Sequence, residues 1–284
     1  MTGAGVRVVT RFAPSPTGPL HLGHAYAALF AARAAAEAGG RFLVRIEDID
    51  STRARPEFEA GILADLAWLG LAWEQPVRRQ SEYMADYAGA LKSLETMGLI
   101  YPCFCSRRAI RAEVRAAGEA PHGALGQVYP GTCRRLDQSE RRRRREAGQA
   151  FALRLDMARA AALAGRLRWR DRDLGVVEAR PEAFGDVVLA RKETPASYHL
   201  AVVIDDHLQG VTLVTRGADL VPATDVQRLL QALLGLTTPD YHHHRLITDD
   251  EGRRLAKRDK PLTLAALRES GCTPEEVRRR LGFA

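Results

Sequence analysis

The stretch Pro14-Ser15-Pro16-Thr17-Gly18-Pro19-Leu20-His21-Leu22-Gly23-His24 concentrates groups able to do chemistry. His21 and His24 are three residues apart, a spacing that puts both imidazoles on one face of a helix. Gly23 between them removes a side chain, so a flat base or ribose can approach the backbone. A helix starting here aims its amide dipoles at the preceding loop, which favours phosphate. Two imidazoles at that end can donate to phosphate oxygens as an α-phosphorus is attacked. The plainer alternative is a capped helix whose histidines are polar surface.

Charge elsewhere is unevenly placed. The chain has 284 residues, 42 of them Lys or Arg, 35 Asp or Glu, and a formal net charge of +7. Lysine is scarce, and Lys257 and Lys260 are half of a set completed by Lys92 and Lys192. A compact ammonium contacts a moving phosphate differently from a forked guanidinium. From Tyr101 to Gly148 there are eleven arginines, including the run Arg141 to Arg145, against five acids. That density suits phosphate contact or, more simply, a solvated helix face.

The elements that position these groups follow from punctuation and branching. A strand is predicted over Val6–Thr10, then a proline-stiffened loop, a helix over Leu22–Ala38 stopped by Gly39-Gly40, and a strand over Arg41–Ile46. That order is a βαβ unit, the opening of a doubly wound, Rossmann-type parallel sheet in an α/β fold. Its ligand belongs at the carboxyl ends of the strands, where Arg11–His24 and Glu47–Asp50 emerge. Amphipathic helices are predicted over Glu57–Leu69 and Asp86–Met97. Strands are predicted over Phe151–Leu155, Leu167–Arg170, Val187–Arg191, Leu200–Asp205 and Val211–Thr215. A helix over Thr224–Leu234 takes Thr224 as its N-cap, and the tail from Leu262 to Leu281 reads as short helices broken at Gly271. The triplet His242-His243-His244 reads as a loop or strand edge rather than a ligand set.

Composition bounds the rest. Hydrophobic residues are 46% and charged residues 27%, ordinary for a globular protein. The longest apolar runs are far too short to span a bilayer, and Met1–Arg11 has no apolar signal core. Three of four cysteines fall within Cys103–Cys133, too clustered for a disulfide scaffold. A cytoplasmic protein with no membrane association is expected.

Arg11-Phe12-Ala13-Pro14-Ser15-Pro16-Thr17-Gly18, followed by His21-Leu22-Gly23-His24, resembles the nucleotide-binding signature of the class I glutamyl- and glutaminyl-tRNA synthetases. Arg45-Ile46-Glu47-Asp48-Ile49-Asp50 is similar to a second stretch of that family. So is a third stretch, from Asp205-Asp206-His207 through Gly210-Val211 and on to Arg216-Gly217-Ala218-Asp219-Leu220. Arg254-Leu255-Ala256-Lys257-Arg258 resembles the family's mobile lysine loop, with Arg254 for its first lysine and Ala256 for its serine. The four stretches come in order and span residues 11 to 258.

The resemblance implies an ATP-dependent ligase. It implies an L-glutamate site at Arg11, Phe12, Ala13, Pro14, Ser15, Glu47, Tyr198 and Arg216, with guanidinium forks for the carboxylates and Glu47 for the ammonium. It implies ATP at His21, Gly23, His24 and Lys257, with His21, His24 and Lys257 catalytic and Mg²⁺ accompanying the nucleotide. Cys103, Cys105, Tyr129 and Cys133 resemble the zinc site of the glutamyl-queuosine tRNA(Asp) synthetases, short paralogues in the family. Zn²⁺ there would be structural; His122 or water in place of Tyr129, or three reduced cysteines without metal, are the alternatives. The expected organisation is a nucleotide-binding catalytic fold over 1–100 and 185–250. A zinc-binding, acceptor-type insertion occupies 101–184, and a lysine-loop and helical segment occupies 251–284, with no anticodon-binding domain. The expected activity forms glutamyl-adenylate without tRNA and transfers glutamate to queuosine in the tRNA(Asp) anticodon, on a monomer. The alternatives are a truncated synthetase charging tRNA 3′ ends and an inert tRNA-binding paralogue.

Overall fold

The computed structural model describes residues 7–106, 108, 122–123, 126–192, 194–247 and 263–283. The chain opens with β1 (Val9–Phe12), α1 (Leu22–Glu37) and β2 (Arg41–Ile46), and the strands pair in parallel from Val9 opposite Arg41 to Phe12 opposite Val44. Gly40 makes that return possible. A Cβ there would lie 2.1 Å from the Val8 carbonyl oxygen, which instead accepts the Arg41 N–H at 2.8 Å.

Then follow α2 (Pro56–Trp68), with proline in its first turn, β3 (Glu74–Arg79), parallel to β2, and α3 (Met84–Thr96). β4 (Ile100–Cys103) leads to a short hairpin, β5 (His122–Gly123) and β6 (Gly126–Gln127). Next come α4 (Gln138–Glu146), β7 (Ala152–Leu155), α5 (Met157–Ala164), β8 (Arg168–Asp171), β9 (Gly175–Glu178) and β10 (Val188–Arg191). The chain returns through α6 (Tyr198–Leu208), β11 (Leu213–Gly217), α7 (Ala223–Leu233) and β12 (Asp240–His244). It closes with α8 (Leu264–Glu269) and α9 (Pro274–Leu281), separated at Gly271, whose φ is +84°.

β3, β2 and β1 lie side by side, and β11 continues next to β1: the Thr212 N–H donates to the Val9 carbonyl at 3.0 Å. β12 pairs in parallel with β11 and β8 with β12, so the strand order reverses between β1 and β11. Such a reversal opens a crevice at the carboxyl ends of the strands. Alternation fixes what faces each side. Phe42, Val44 and Ile46 pack with α1, α2, α8 and α9, while Leu43 and Arg45 face the opposite side. Helices α3, α5, α6 and α7 share a second core through Tyr87, Leu94, Met157, Leu200, Val203 and Leu229.

Three expectations change. Leu200–Asp205 is helical, not a strand: the Ser197 side chain caps α6 by accepting the Leu200 N–H, and every residue from Leu200 to Asp206 is buried. A helix buried all round shows no period, and its branched Val202, Val203 and Ile204 imitate a strand. Thr224 is not an N-cap; Pro222 occupies that place and the Thr224 hydroxyl turns inward to Arg216. The triplet His242 to His244 belongs to β12, which lies between β11 and β8. The hairpin Arg168–Glu178 falls within the segment expected to be inserted, yet its first strand pairs with β12. β4, β7 and β10 form a separate antiparallel sheet.

Candidate active site

The loop after β1 and the start of α1 are built by the histidines themselves. His21 is the N-cap residue of α1; its Nδ1 accepts the Gly23 N–H at 3.1 Å, and the His24 Nδ1 accepts the His21 N–H at 3.3 Å. Both Nδ1 atoms therefore accept, which leaves each neutral ring protonated at Nε2. The rings stack at 3.8 Å between centroids. A Cβ on Gly23 would meet the His21 ring at 3.0 Å, so the bare backbone lets that imidazole fold back as a cap. Beside this end, His21 pairs with Thr263 and the Leu264 N–H donates to the Leu20 carbonyl at 2.9 Å. Lys257 and the rest of the expected lysine loop lie outside the described residues.

Beneath the loop is a buried ionic network. Arg11, at the end of β1 and 5% exposed, donates from Nε to Asp206 Oδ1 at 3.0 Å and from NH1 to the Thr215 carbonyl at 3.2 Å. Arg45, with no exposed surface, donates to Asp206 at 2.8 Å, Gln209 at 2.9 Å and Glu47 at 3.2 Å, and its Nε lies 3.6 Å from Asp205. Burial alone would push the Arg45 guanidinium toward neutrality, but Asp206, Glu47 and Asp205 outweigh it and hold the charge. The same trade holds Asp206 below the usual carboxylate range: Arg11 and Arg45 overcome its desolvation. Glu47 goes the other way, since burial raises its pKa more than Arg45 and Arg11 lower it. A buried carboxyl in that condition is primed for one more cation. Its N–H donates to the Pro14 carbonyl at 3.0 Å, tying the two strand-end loops together.

A cavity of about 740 Å³ opens above this network, lined among others by Ser15, Glu47, Gln80, Arg191, Ser197 and Tyr198. Tyr198, at the start of α6, accepts from Arg216 NH1 at 3.3 Å. Arg216, on β11, is otherwise held by Gln227 at 2.7 Å, Thr224 at 2.6 Å and His243 at 3.1 Å. Ser15, Glu47 and Tyr198 thus share one cavity; Arg216 lies behind it on Tyr198, and Arg11 is connected to Glu47 through Asp206 and Arg45. The Phe12 side chain instead packs into the core beneath α1. The sequence reading missed the framing residues Arg45, Asp206 and His243. Arg45 and Asp206 stood within the family-like stretches; nothing marked His243.

The cysteine cluster is separate. The sulfurs of Cys103, Cys105 and Cys133 all lie within 4.8 Å of one another, the last two 3.4 Å apart. The Tyr129 hydroxyl is 3.5 Å from the Cys105 sulfur and accepts the Cys133 N–H at 2.8 Å. Three thiols and a phenol oxygen suit a tetrahedral site, where ligand sulfurs stand about 3.8 Å apart. Desolvation pushes the Cys105 thiol up to about 12, whereas hydrogen bonds from Tyr129 and the Phe104 N–H outweigh burial at Cys133 and draw its pKa down. Only the backbone of His122 is described, in β5.

A parallel sheet that reverses order over a crevice of matched charges, with paired imidazoles at a helix start, fits a nucleotide-dependent ligase of the class I synthetase type. Residues 7–283 match the catalytic domain of class I tRNA synthetases (E and Q), and the chain belongs to that family. It is 53% identical over 281 residues to a glutamyl-Q tRNA(Asp) synthetase of Rhodobacter capsulatus, covering 97% of this chain and all of that protein. A glutamyl-Q tRNA(Asp) synthetase of Nitratidesulfovibrio vulgaris is 45% identical, covering 92% of this chain and 81% of the relative. Among solved structures, a glutamate tRNA ligase from Elizabethkingia meningosepticum, in complex with its amino acid, superposes with a TM-score of 0.75 at 31% identity. That match covers 89% of this chain and 52% of the ligase, so the chain spans about half its length. No helix among the described residues is long and apolar enough to cross a membrane.

Proposed function

We propose that this protein activates L-glutamate with ATP and transfers it to the queuosine base in the anticodon of tRNA(Asp). Supporting this reading is one cavity that presents a carboxylate needing a cation, Glu47, beside Ser15 and Tyr198, with Arg11 and Arg216 behind it. Such a surface complements an amino acid with an ammonium and two carboxylates. In this reading Phe12, Ala13 and Pro14, which precede Ser15 in the same loop, offer backbone groups to the amino acid. The names of the full-length relatives support queuosine in tRNA(Asp) as acceptor.

In the first step a glutamate carboxylate oxygen attacks the α-phosphorus of ATP in line; an O–P bond forms and pyrophosphate leaves with the other O–P bond's electrons. The work is positioning and charge neutralisation. His21 and His24 donate from Nε2 to phosphate oxygens, Gly23 lets the helix start close on the nucleotide, and Lys257 closes from the opposite side. A Mg²⁺ ion bound with the ATP would add to that neutralisation of phosphate charge. In the second step a queuosine hydroxyl attacks the acyl carbon, an ester forms, and AMP leaves. Cys103, Cys105, Tyr129 and Cys133 would hold a structural Zn²⁺ and so pin the insertion. In this reading the chain acts as a monomer, and its substrates belong to the cytoplasm.

The deciding experiment offers labelled glutamate and ATP to a queuosine-bearing anticodon stem-loop of tRNA(Asp) that lacks an acceptor end. Label on the stem-loop is the expected result. Label found only on the 3′ end of intact tRNA would replace this reading with a truncated synthetase. Absence of glutamate-dependent pyrophosphate exchange would leave an inert paralogue. Metal content after dialysis without chelator tests the zinc site separately, and a folded, metal-free protein would remove it.

A further inference from the structure

The groove side of Arg216 is the one proposed to meet substrate; the other side leads to residues that the activation chemistry does not use. His243 Nε2 accepts the Arg216 Nε–H at 3.1 Å. Its Nδ1 lies 2.8 Å from Asp171 Oδ2, which also accepts the His243 backbone N–H at 3.1 Å. Asp171 Oδ1 accepts the N–H groups of Asp173 and Leu174 at 2.9 and 3.0 Å, closing the turn of the β8–β9 hairpin. Both side chains are almost fully buried, and both carboxylate oxygens are committed.

These contacts leave one consistent arrangement. Oδ2 already accepts one N–H, and an ionised carboxylate has no proton to give, so Nδ1 must carry the ring proton. Nε2 then presents a lone pair. The Thr224 hydroxyl, 3.4 Å from Nε2, already accepts from Arg216 and has a proton to give, and Arg216 has only protons to offer, so the opposite tautomer would set N–H against N–H. Burial and the Arg216 charge pull His243 down to about 4, so the ring stays neutral and able to accept at neutral pH. Asp171 is held below the usual carboxylate range because the N–H groups of Leu174 and Asp173 and the His243 ring outweigh its desolvation.

We propose that Asp171 and His243 are a positioning pair for Arg216, fixing the plane of its guanidinium so that the edge beside Tyr198 meets a substrate carboxylate. The pair reaches from a hairpin turn distant in sequence and touches no reacting atom. It rests on Arg216 contacting the amino acid, as the proposed function has it. An aspartate at the turn of a surface hairpin then sets the affinity of a pocket two side chains away.

The test uses the full chain and two readouts. In histidine-¹⁵N-labelled protein at pH 7, His243 is expected as the Nδ1–H tautomer. Asp171→Asn is expected to flip it, because an amide nitrogen facing Nδ1 donates instead of accepting. In glutamate-dependent pyrophosphate exchange, Asp171→Asn and His243→Leu are expected to raise KM for glutamate about tenfold or more, the size of a lost hydrogen bond to a charged group. KM for ATP and kcat should stay within about threefold. His243→Gln, whose amide oxygen can accept from Arg216, should recover most of the glutamate affinity. An Nε2–H tautomer in the wild type would overturn the proposal. So would a parallel rise in both KM values with no recovery in His243→Gln, which marks a general structural role. Should Asp171→Asn fail to fold, the two His243 variants and the wild-type spectrum decide the matter. Wild-type protein with no glutamate-dependent exchange would instead overturn the functional reading, while the tautomer measurement stands apart from it.

Discussion

Arg45 and Arg142 carry the same guanidinium in opposite settings. Arg45 has no exposed surface and sits among Asp206, Glu47 and Asp205. Arg142 is exposed on α4, a helix that buries no residue. Around Arg45 the ions nearly balance: Arg11, Arg45 and Arg78 face Glu47, Asp205 and Asp206. On α4, Arg143 and Arg144 lean on Glu140, and Arg144 and Arg145 lie over Phe104 and Phe151 at 5.6 and 4.9 Å. A buried charge is defined by its partners, because losing one strands the other in low dielectric. A surface charge is screened and contributes little on its own. The positive excess of the chain therefore says little about the pocket, where opposite charges are matched.

The sharpest way to break this contrast is Asp206→Ala. It removes the carboxylate shared by Arg11 and Arg45, and the expected loss is about 3–5 kcal/mol of unfolding free energy, as for breaking a buried pair. Denaturant unfolding measures it. A loss within about 0.5 kcal/mol, the range of ordinary surface changes, would mean the network does not hold the fold.

Glu47→Gln separates binding from stability inside the same network. Glutamate affinity should fall about ten- to a hundredfold, with ATP affinity nearly unchanged, because an ammonium loses a charged acceptor. Burial raises the Glu47 pKa, so its anionic fraction shrinks as pH falls from neutral. Wild-type glutamate affinity should weaken toward acid pH, and the variant should lose that part of the dependence. Titration calorimetry with each ligand checks both, and equal losses for glutamate and ATP would take Glu47 out of the amino-acid pocket.

Much of this buried region was legible in sequence, and its framing was not. The βαβ opening declared itself through prolines, alanines and paired glycines, because local backbone constraints write directly into residue type. The imidazole pair was legible from its spacing at a helix start, whereas Glu47 and Arg216 took their roles from stretches that resemble a family. The helical state of Leu200–Leu208 was hidden, since burial on all sides erases the polar stripe that marks a helix. His243 was passed over because a run of three histidines gives no hint that alternation on β12 turns the middle one toward Arg216 and Asp171. Tertiary partners of that kind, 72 residues apart for Asp171 and His243, leave no local trace.

Acid titration reads two desolvated histidines together, the partly exposed His199 and the buried His243. Burial, reinforced by the Arg216 charge, pulls His199 and His243 down to about 4, against about 6.5 in an unfolded chain. Between those values the unfolded chain binds more protons, so their contribution is complete above about pH 6.5 and is lost as pH falls toward 4. His199→Gln should flatten the pH dependence of unfolding free energy in that window by about one proton. An unchanged slope would place His199 in contact with solvent.

The smallest effect belongs to α4 and completes the contrast. Arg142→Ala with Arg145→Ala should leave unfolding free energy within about 0.5 kcal/mol of wild type, because neither side chain is buried. Glutamate-dependent pyrophosphate exchange should also be unaltered, since the helix lines no part of the pocket. If the surface meets tRNA, the two changes remove two phosphate contacts. The slope of log affinity against log salt should then drop by about 1.4 to 1.8, set by the counterions no longer released. Filter binding of tRNA(Asp) across a salt series measures it. An unchanged slope with weaker binding would assign Arg145 to local packing over Phe151, whereas no change at all would leave α4 a solvated face. Only a reduced slope with intact activation separates an RNA-facing guanidinium from the buried ones, whose loss shows first in folding and in the amino-acid pocket.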